Sequence, residues 1–410
     1  MATTAPPVPS GPAHVAVVSF LAARAAPSGG FWIALAGGVA LARVAQQRGA
    51  RLGFGASAAA MLETVAIIGP ARFGIPLTQA VSAPMLGRLE ARGWPVTTQV
   101  LVCAAVRILH NTATTAFFIW VITGGLDAYA GTYDALGRRV GLGVGTADAL
   151  VLTAAGLVAW AAFASIVQVL VYRRGLRGWD AEHAAPSCID RPTDGQPRTV
   201  AEKAKPRRFD PRAVALAASV AFVLLLASTA WLLLSAVALW LAIAWLTAKP
   251  DREPLPTGLA FAAILAGGAL IFSLGGGLGL DTALRRASRA ALLVLVATWL
   301  RGAAGAEGLR EVSRRALGKL RRLPAAPEAA QVLDQIASEG RIAEAGRTLA
   351  DRLSGVRKRP VPFLDAVLGW VVRESTEHRP PPAPAHLALR TRARDALLIA
   401  LAVAPTAALV

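Results

Sequence analysis

Residues 213–247 read AVALAASVAFVLLLASTAWLLLSAVALWLAIAWLT, thirty-five consecutive positions without a charge. One α-helix of that length would be about 52 Å long at 1.5 Å per residue. The hydrocarbon layer of a bilayer is only about 30 Å thick. A tight hairpin near Ala227–Ala230 resolves the excess by dividing the run into two spans. Inside lipid every backbone amide must be bonded within the protein, which leaves helices or closed barrel strands. The run is continuously apolar and does not alternate, which selects helix.

Residues 149–172 and 257–280 are also free of charge. Segments 98–123, 149–172, 259–275 and 286–304 therefore read as further spans. The fold class expected is all-α: a polytopic integral membrane helical bundle with amphipathic cytoplasmic helices. Composition agrees, with 55% hydrophobic and 17% charged residues, where soluble domains carry about a quarter charged.

The net charge of +18 would suit nucleic acid, but the basic residues sit in short stretches between apolar segments. That is the positive-inside pattern of membrane proteins. No aromatic–basic surface accompanies it, so nucleic acid is not an expected partner. Two cysteines, Cys103 and Cys188, cannot form a disulfide framework. Met1 to Pro12 lacks a basic n-region, and no cleaved signal peptide is expected.

The expected organisation is as follows. Residues 1–12 are a flexible tail, and 13–172 form an N-terminal membrane domain. Within it, 13–97 is broken by Pro27, Gly69, Pro70, Pro76 and Pro84 and predicts two or three short or kinked helices. Residues 173–208 are a basic cytoplasmic linker, 209–304 a second membrane bundle and 305–360 cytoplasmic amphipathic helices. Residues 361–410 hold an interfacial helix and a terminal membrane segment. With both basic stretches in the cytosol, four crossings between them return the chain to its starting side. The near-neutral segment 124–147 then faces outward, and Arg285, Arg286 and Arg289 lie near that face.

Glu63, Arg72 and Gln79 interrupt apolar sequence in the first half, and Arg107, His110 and Asn111 share a helix face at i, i+3 and i+4. An ionisable group at mid-membrane costs at least about 2.5–3.5 kcal/mol on insertion scales and usually faces a cavity or a counter-charge. Glu63, Arg72, Arg107, His110 and Asn111 are therefore the substrate-site candidates, with a Glu63–Arg107 or Glu63–Arg72 pair at the centre. A structural ion pair or a placement near the headgroups accounts for the same residues. Ala34, Gly38 and Ala42 form a stripe of small residues that permits close helix contact.

Residues 306–323 place Leu309, Val312, Ala316, Leu317, Leu320 and Leu323 on one helical face and arginines elsewhere. Residues 328–354 repeat the pattern with Val332, Leu333, Ile336, Ala343, Leu349 and Leu353. Two occupants fit these faces: anionic lipid or the groove of another protein.

Phe209-Asp210-Pro211-Arg212 before the long apolar run is one of three stretches that resemble the transmembrane (T) component of energy-coupling-factor (ECF) transporters, the vitamin and metal importers of prokaryotes. The others are Leu284-Arg285-Arg286-Ala287-Ser288-Arg289, leading to Trp299-Leu300-Arg301, and Leu309 to Leu317 with Leu320-Arg321-Arg322-Leu323-Pro324. The resemblance covers residues 209–336. It implies a multi-pass protein of the prokaryotic cell (inner) membrane that couples cytosolic ABC-type ATPase subunits to uptake. The ATPase-coupling candidates it implies are Arg314, Arg315, Arg321, Arg322, Arg341 and Arg347. The last two lie in Gly340-Arg341-Ile342 and Gly346-Arg347-Thr348, neither of which has the family's usual Ala-Arg-Gly form. A substrate-capturing membrane domain, fused in the first 180 residues, fits the same picture, with the small-residue stripe at the contact.

The chain is not expected to be an enzyme and no cofactor is expected. Gly318-Lys319 lacks the earlier glycine and the hydroxyl of a phosphate loop, so ATP hydrolysis belongs to a partner. His183 and Cys188 lack a zinc spacing. The alternative to a transporter subunit is a non-transport membrane scaffold whose basic helices bind lipid or cytosolic partners.

Overall fold

The structure is a computed structural model that describes residues 10–26, 29–70, 77–139, 141, 145–184, 208–320, 322–336, 338–356, 359–381, 387, 389 and 391–408. Among these residues the fold is all-α, without strands. The first half comprises α1 (Ser10–Ala25), α2 (Gly30–Arg48), α3 (Ala50–Ile68), α4 (Leu77–Ala91), α5 (Val96–Phe117, continued by a π turn at Phe118–Thr123), α6 (Leu126–Arg139) and α7 (Thr146–Ala184). The second comprises α8 (Pro211–Ala227), α9 (Trp231–Ala248), α10 (Leu255–Gly275), α11 (Leu280–Lys319), α12 (Ala326–Gln335), α13 (Glu339–Ser354), α14 (Pro360–Glu377) and α15 (Ala393–Val403).

Among the described residues six helices are long and apolar enough to cross a membrane: α3, α5 with its π turn, α7, α9, α10 and α11. The hairpin expected near Ala227–Ala230 forms there, with α8 ending at Ala227 and α9 starting at Trp231. Asp210 caps α8 by accepting from the Arg212 amide at 2.8 Å, with Pro211 in the first turn.

Cross-contacts sort the helix ends into two groups. At the hairpin end, the Trp231 indole donates to Asp281 (2.7 Å), the Arg286 guanidinium rests on Gly124 and the Thr132 hydroxyl donates to the Phe272 carbonyl (3.0 Å). At the arginine-rich end, the Asp251 amide donates to the Gly302 carbonyl (3.1 Å) and Arg208 to the Thr247 carbonyl (3.3 Å). α5, α7 and α8–α11 all run between these ends. The four helices α8–α11 thus return the chain to the end where α8 starts, and 124–139 lies with 281–286 at the other.

Large apolar side chains stay exposed along these helices, from Leu101 to Trp120 on α5 and from Val151 to Leu170 on α7. Each stretch is about 28 Å long, close to the hydrocarbon thickness. Behind this belt, α8, α9, α11 and α15 share a core that includes Leu225, Leu233, Val237 and Trp299. The Trp240 and Trp299 rings meet edge to face, 5.3 Å between centroids. α15 packs on α8, but its 11 residues reach only about 16 Å, half a span.

α3 does not run with the other spans. Arg51 pairs with Glu328 (2.6 Å), and the Ile67 carbonyl accepts from Arg301 (2.7 Å). These contacts lay α3 beside α12 and the arginine-rich end of α11. There a helical body forms: α1–α4 share one core with α12–α14, built from Val17, Leu35, Leu41, Val332, Leu333, Ile336, Leu349 and Val367.

Residues 13–91 hold four helices where two or three were expected. α1 begins at Ser10, inside the expected tail, because a proline is tolerated in a first turn. The linker boundary at 173 falls inside α7, which continues to Ala184; residues 185–207 lie outside the described residues, as does Cys188. The apolar faces of α12 and α13 are covered within the chain, α12 by α3, α11 and α1 and α13 by α1 and α14, which leaves them open neither to lipid nor to a partner's groove. Ala343, Leu320 and Leu323 are exposed, where the periodicity placed them on apolar faces. The small-residue stripe is buried within the chain: Gly38 lies under the Tyr172 hydroxyl and Ala42 against Gly87 of α4. It is therefore not open to another subunit.

A Cβ at Gly87 would stand 1.9 Å from the Ala42 carbonyl oxygen, a backbone atom that cannot swing aside. Gly87→Ala is expected to destabilise by about 3 kcal/mol, although alanine normally gains about 1 kcal/mol over glycine in a helix. Gly267→Ala on α10, with open space at the Cβ, should show that gain. Thermal unfolding in detergent checks the opposite signs.

The same body holds a pH-sensitive contact. The His14 and His378 rings stack with centroids 4.4 Å apart, and His378 Nε2 lies 3.3 Å from the Gln335 carbonyl. Burial, reinforced by the His14 ring and Arg341, pushes His378 down to about 4 against the opposing pull of Glu374. Below pH about 6.5 the unfolded chain binds a proton that the folded ring refuses until about pH 4. Stability is therefore intact above pH about 6.5 and falls toward pH 4, by about 1–2 kcal/mol given the ring's partial exposure. His378→Gln should flatten the stability profile across that window in a melting series against pH.

Candidate functional site

Within the belt, α5 turns a narrow stripe inward: Gln99, Cys103 and Arg107, at i, i+4 and i+8, are its buried residues. Arg107 Nη2 donates to Gln168 Oε1 of α7 at 2.6 Å, and the Cys103 thiol to the same oxygen at 3.1 Å. Gln168 Nε2 donates to Ser82 Oγ of α4 at 2.7 Å. Ser165 lies beside Cys103, and Tyr172, seven residues on, lies beside Gln168.

Arg107 is 5% exposed and has no carboxylate partner among the described residues. Among the described residues its Nε, the Ser165 Oγ and the Tyr172 hydroxyl are buried and meet no hydrogen-bond partner. The guanidinium thus lies about 9 Å inside the Leu101 edge of the belt, among neutral groups as far as the described residues go. Buried charges are normally paired, and an uncompensated one attracts an anion. The nearest acidic group along α5 is Glu90, which accepts from Gln99 (2.6 Å) and pairs with Arg173 (3.3 Å) at the helix end.

Two more cations lie toward the hairpin end. Arg289 is 5% exposed with its Nε unpartnered, and Arg286 stands beside it over Gly124. Neither has a carboxylate partner among the described residues, whereas Arg285 pairs with Asp281 at 2.8 Å and lies over the Trp231 ring. The sequence marks these arginines only as charges near the outer face. That neither Arg286 nor Arg289 has a carboxylate partner among the described residues emerges from the packing.

His110 and Asn111 flank Arg107 but are half-exposed, so the structure does not bring them into the cluster. Arg72 lies outside the described residues, and Gln79 is buried with Thr78 on α4. Glu63 does not meet Arg107. It forms a two-point ion pair with Arg310, Nε at 2.6 Å and Nη2 on the other oxygen. Arg310 reaches it because α11 bends at Gly305, whose φ of 65° suits glycine. Beyond the bend, Arg314 and Arg315 hold Glu311 at 2.7 and 2.6 Å. Burial opposes ionisation of Glu311, but these two arginines outweigh it and keep the carboxyl below its ordinary range.

Among the coupling candidates, Arg314 and Arg315 are thus tied within α11, and Arg315 also donates to the Leu387 carbonyl (3.2 Å). Arg322 and Arg347 are exposed, and Arg341 is half-exposed with a donation to the Arg379 carbonyl at 3.4 Å. Arg321 lies outside the described residues, as does Cys188. No protein-family model, no curated protein and no solved structure matches this chain.

Proposed function

We propose that this chain is the membrane subunit of an ATP-driven importer that carries an anionic solute across the belt. The carrying observation is a set of guanidiniums that have no carboxylate partner among the described residues, Arg286 and Arg289 toward one end and Arg107 toward the other. A fixed cation in a low-dielectric wall lowers the barrier to an anion and raises that of a cation. Neutral donors around Arg107 then supply hydrogen bonds without repelling the solute.

Energy coupling rests on a separate cytosolic ABC-type ATPase, as in the ECF transporters that residues 209–336 resemble, in a prokaryotic cell membrane. α11 supports this reading, since it leaves the belt, bends at Gly305 and enters the arginine-rich body. The exposed Arg322 and Arg347 are the contact points this reading favours, because the apolar faces of α12 and α13 are already occupied.

The test is affinity purification from the native membrane, mass spectrometry of the partners, and reconstitution of the complex into vesicles. Recovery of an ATPase and ATP-dependent uptake competed by anions but not cations is the expected result. If no ATPase is recovered and no flux follows, the chain is a non-transport scaffold.

A further inference from the structure

Beside the belt, at its arginine-rich edge, α7 and α14 enclose an open groove of about 760 Å³. One wall is apolar: Val96, Leu170, Leu368 and Val372. The other is cationic, formed by Arg173, Arg174 and Arg177, which follow Leu170 by three to seven residues on α7. Leu170 is the last large exposed apolar residue of the α7 belt. The arginines therefore stand about 5–10 Å beyond the hydrocarbon edge, at the level of phospholipid headgroups.

The donors in this groove are only partly used. Arg174 gives Nε and Nη2 to Asp365 at 2.8 and 2.9 Å, and Arg173 faces Glu90 at 3.3 Å. Guanidinium carries five N–H donors, so both retain free ones. Arg177 is exposed and has no carboxylate partner among the described residues. Small residues keep the groove open: a Cβ at Gly178 would touch nothing within 4 Å, and one at Gly369 only the Arg352 guanidinium, at 3.6 Å.

We propose that this groove binds one anionic phospholipid, its phosphate on Arg173, Arg174 and Arg177 and its acyl chain against Leu170 and Val96. Two observations commit it to lipid: the cationic wall exceeds its acidic partners, and the apolar wall is continuous with the belt. Free phosphate would use the first wall and leave the second bare. A basic pocket at this level is a common headgroup site. The site is separate from Arg107 and does not depend on the transport reading.

Native mass spectrometry of the full chain in detergent tests it, with phosphatidylglycerol and phosphatidylcholine offered at equal concentration. Phosphatidylglycerol should be retained at least tenfold over phosphatidylcholine. Arg177→Gln should lower retention about fivefold, from the usual contribution of one basic residue. Gly178→Trp should block binding while leaving every charge in place, and melting temperatures show that both variants are folded. Equal retention of the two lipids overturns the proposal, as does unchanged retention in both variants. Full displacement of the lipid by millimolar inorganic phosphate also overturns it, because the groove is then a phosphate site.

Discussion

Arg310→Met is expected to lower the unfolding free energy by about 3–5 kcal/mol, the usual effect of stranding one member of a buried ion pair. Glu63 is 1% exposed, and Arg310 supplies both of its donors. Removing the arginine leaves a buried carboxyl without the two donors that hold it. Glu63→Gln should be milder, because the amide still accepts from Arg310 and Arg310 also feels Glu307 and Asp334. The double variant Glu63→Leu/Arg310→Met, with both charges gone, should recover most of the loss. Chemical denaturation in detergent micelles measures the cycle. A double variant as unstable as Arg310→Met alone would mean that packing around the pair, rather than charge, holds α3 to α11.

Arg107→Met should separate folding from function. A guanidinium with one neutral acceptor and an orphaned Nε contributes little or negatively to stability. A thioether of similar length should leave the melting temperature unchanged or raise it. Anion uptake by the same variant should fall more than tenfold, while Arg107→Lys, which keeps the charge but not the fork, retains part of it. Uptake is read in vesicles and melting by intrinsic fluorescence. The prediction fails if Arg107→Met unfolds the protein, for then Arg107 is a structural strut to Gln168.

The spans were legible because lipid imposes one demand on every residue of a crossing segment. An uncharged run of known length fixes both the helix and, at 213–247, its fold-back. The partners of buried charges were not legible. Glu63 and Arg310 are separated by 247 positions, and nothing local marks one for the other. The periodicity of 328–354 says that one face is covered but not by what; α1, α3, α11 and α14 are the elements that cover it. α3 is apolar enough to span and yet lies beside α12, because composition reports what a helix tolerates and not where it docks. On α5 the i, i+3, i+4 reading was too wide. With only Gln99, Cys103 and Arg107 buried, the inward stripe excludes His110 and Asn111.

The shared core of α1–α3 with α12–α14 joins the first and last thirds of the chain. During synthesis the early helices emerge with the faces that pack on α12–α14 uncovered, and that complement arrives about 300 residues later. At about 5–20 residues per second, the nascent chain waits about 15–60 s for closure. Ribosome-bound intermediates must shelter those faces on the bilayer surface or a chaperone. A premature stop anywhere before α12 leaves a protein with inserted spans and an open, adhesive N-terminus, which quality-control proteases are equipped to find.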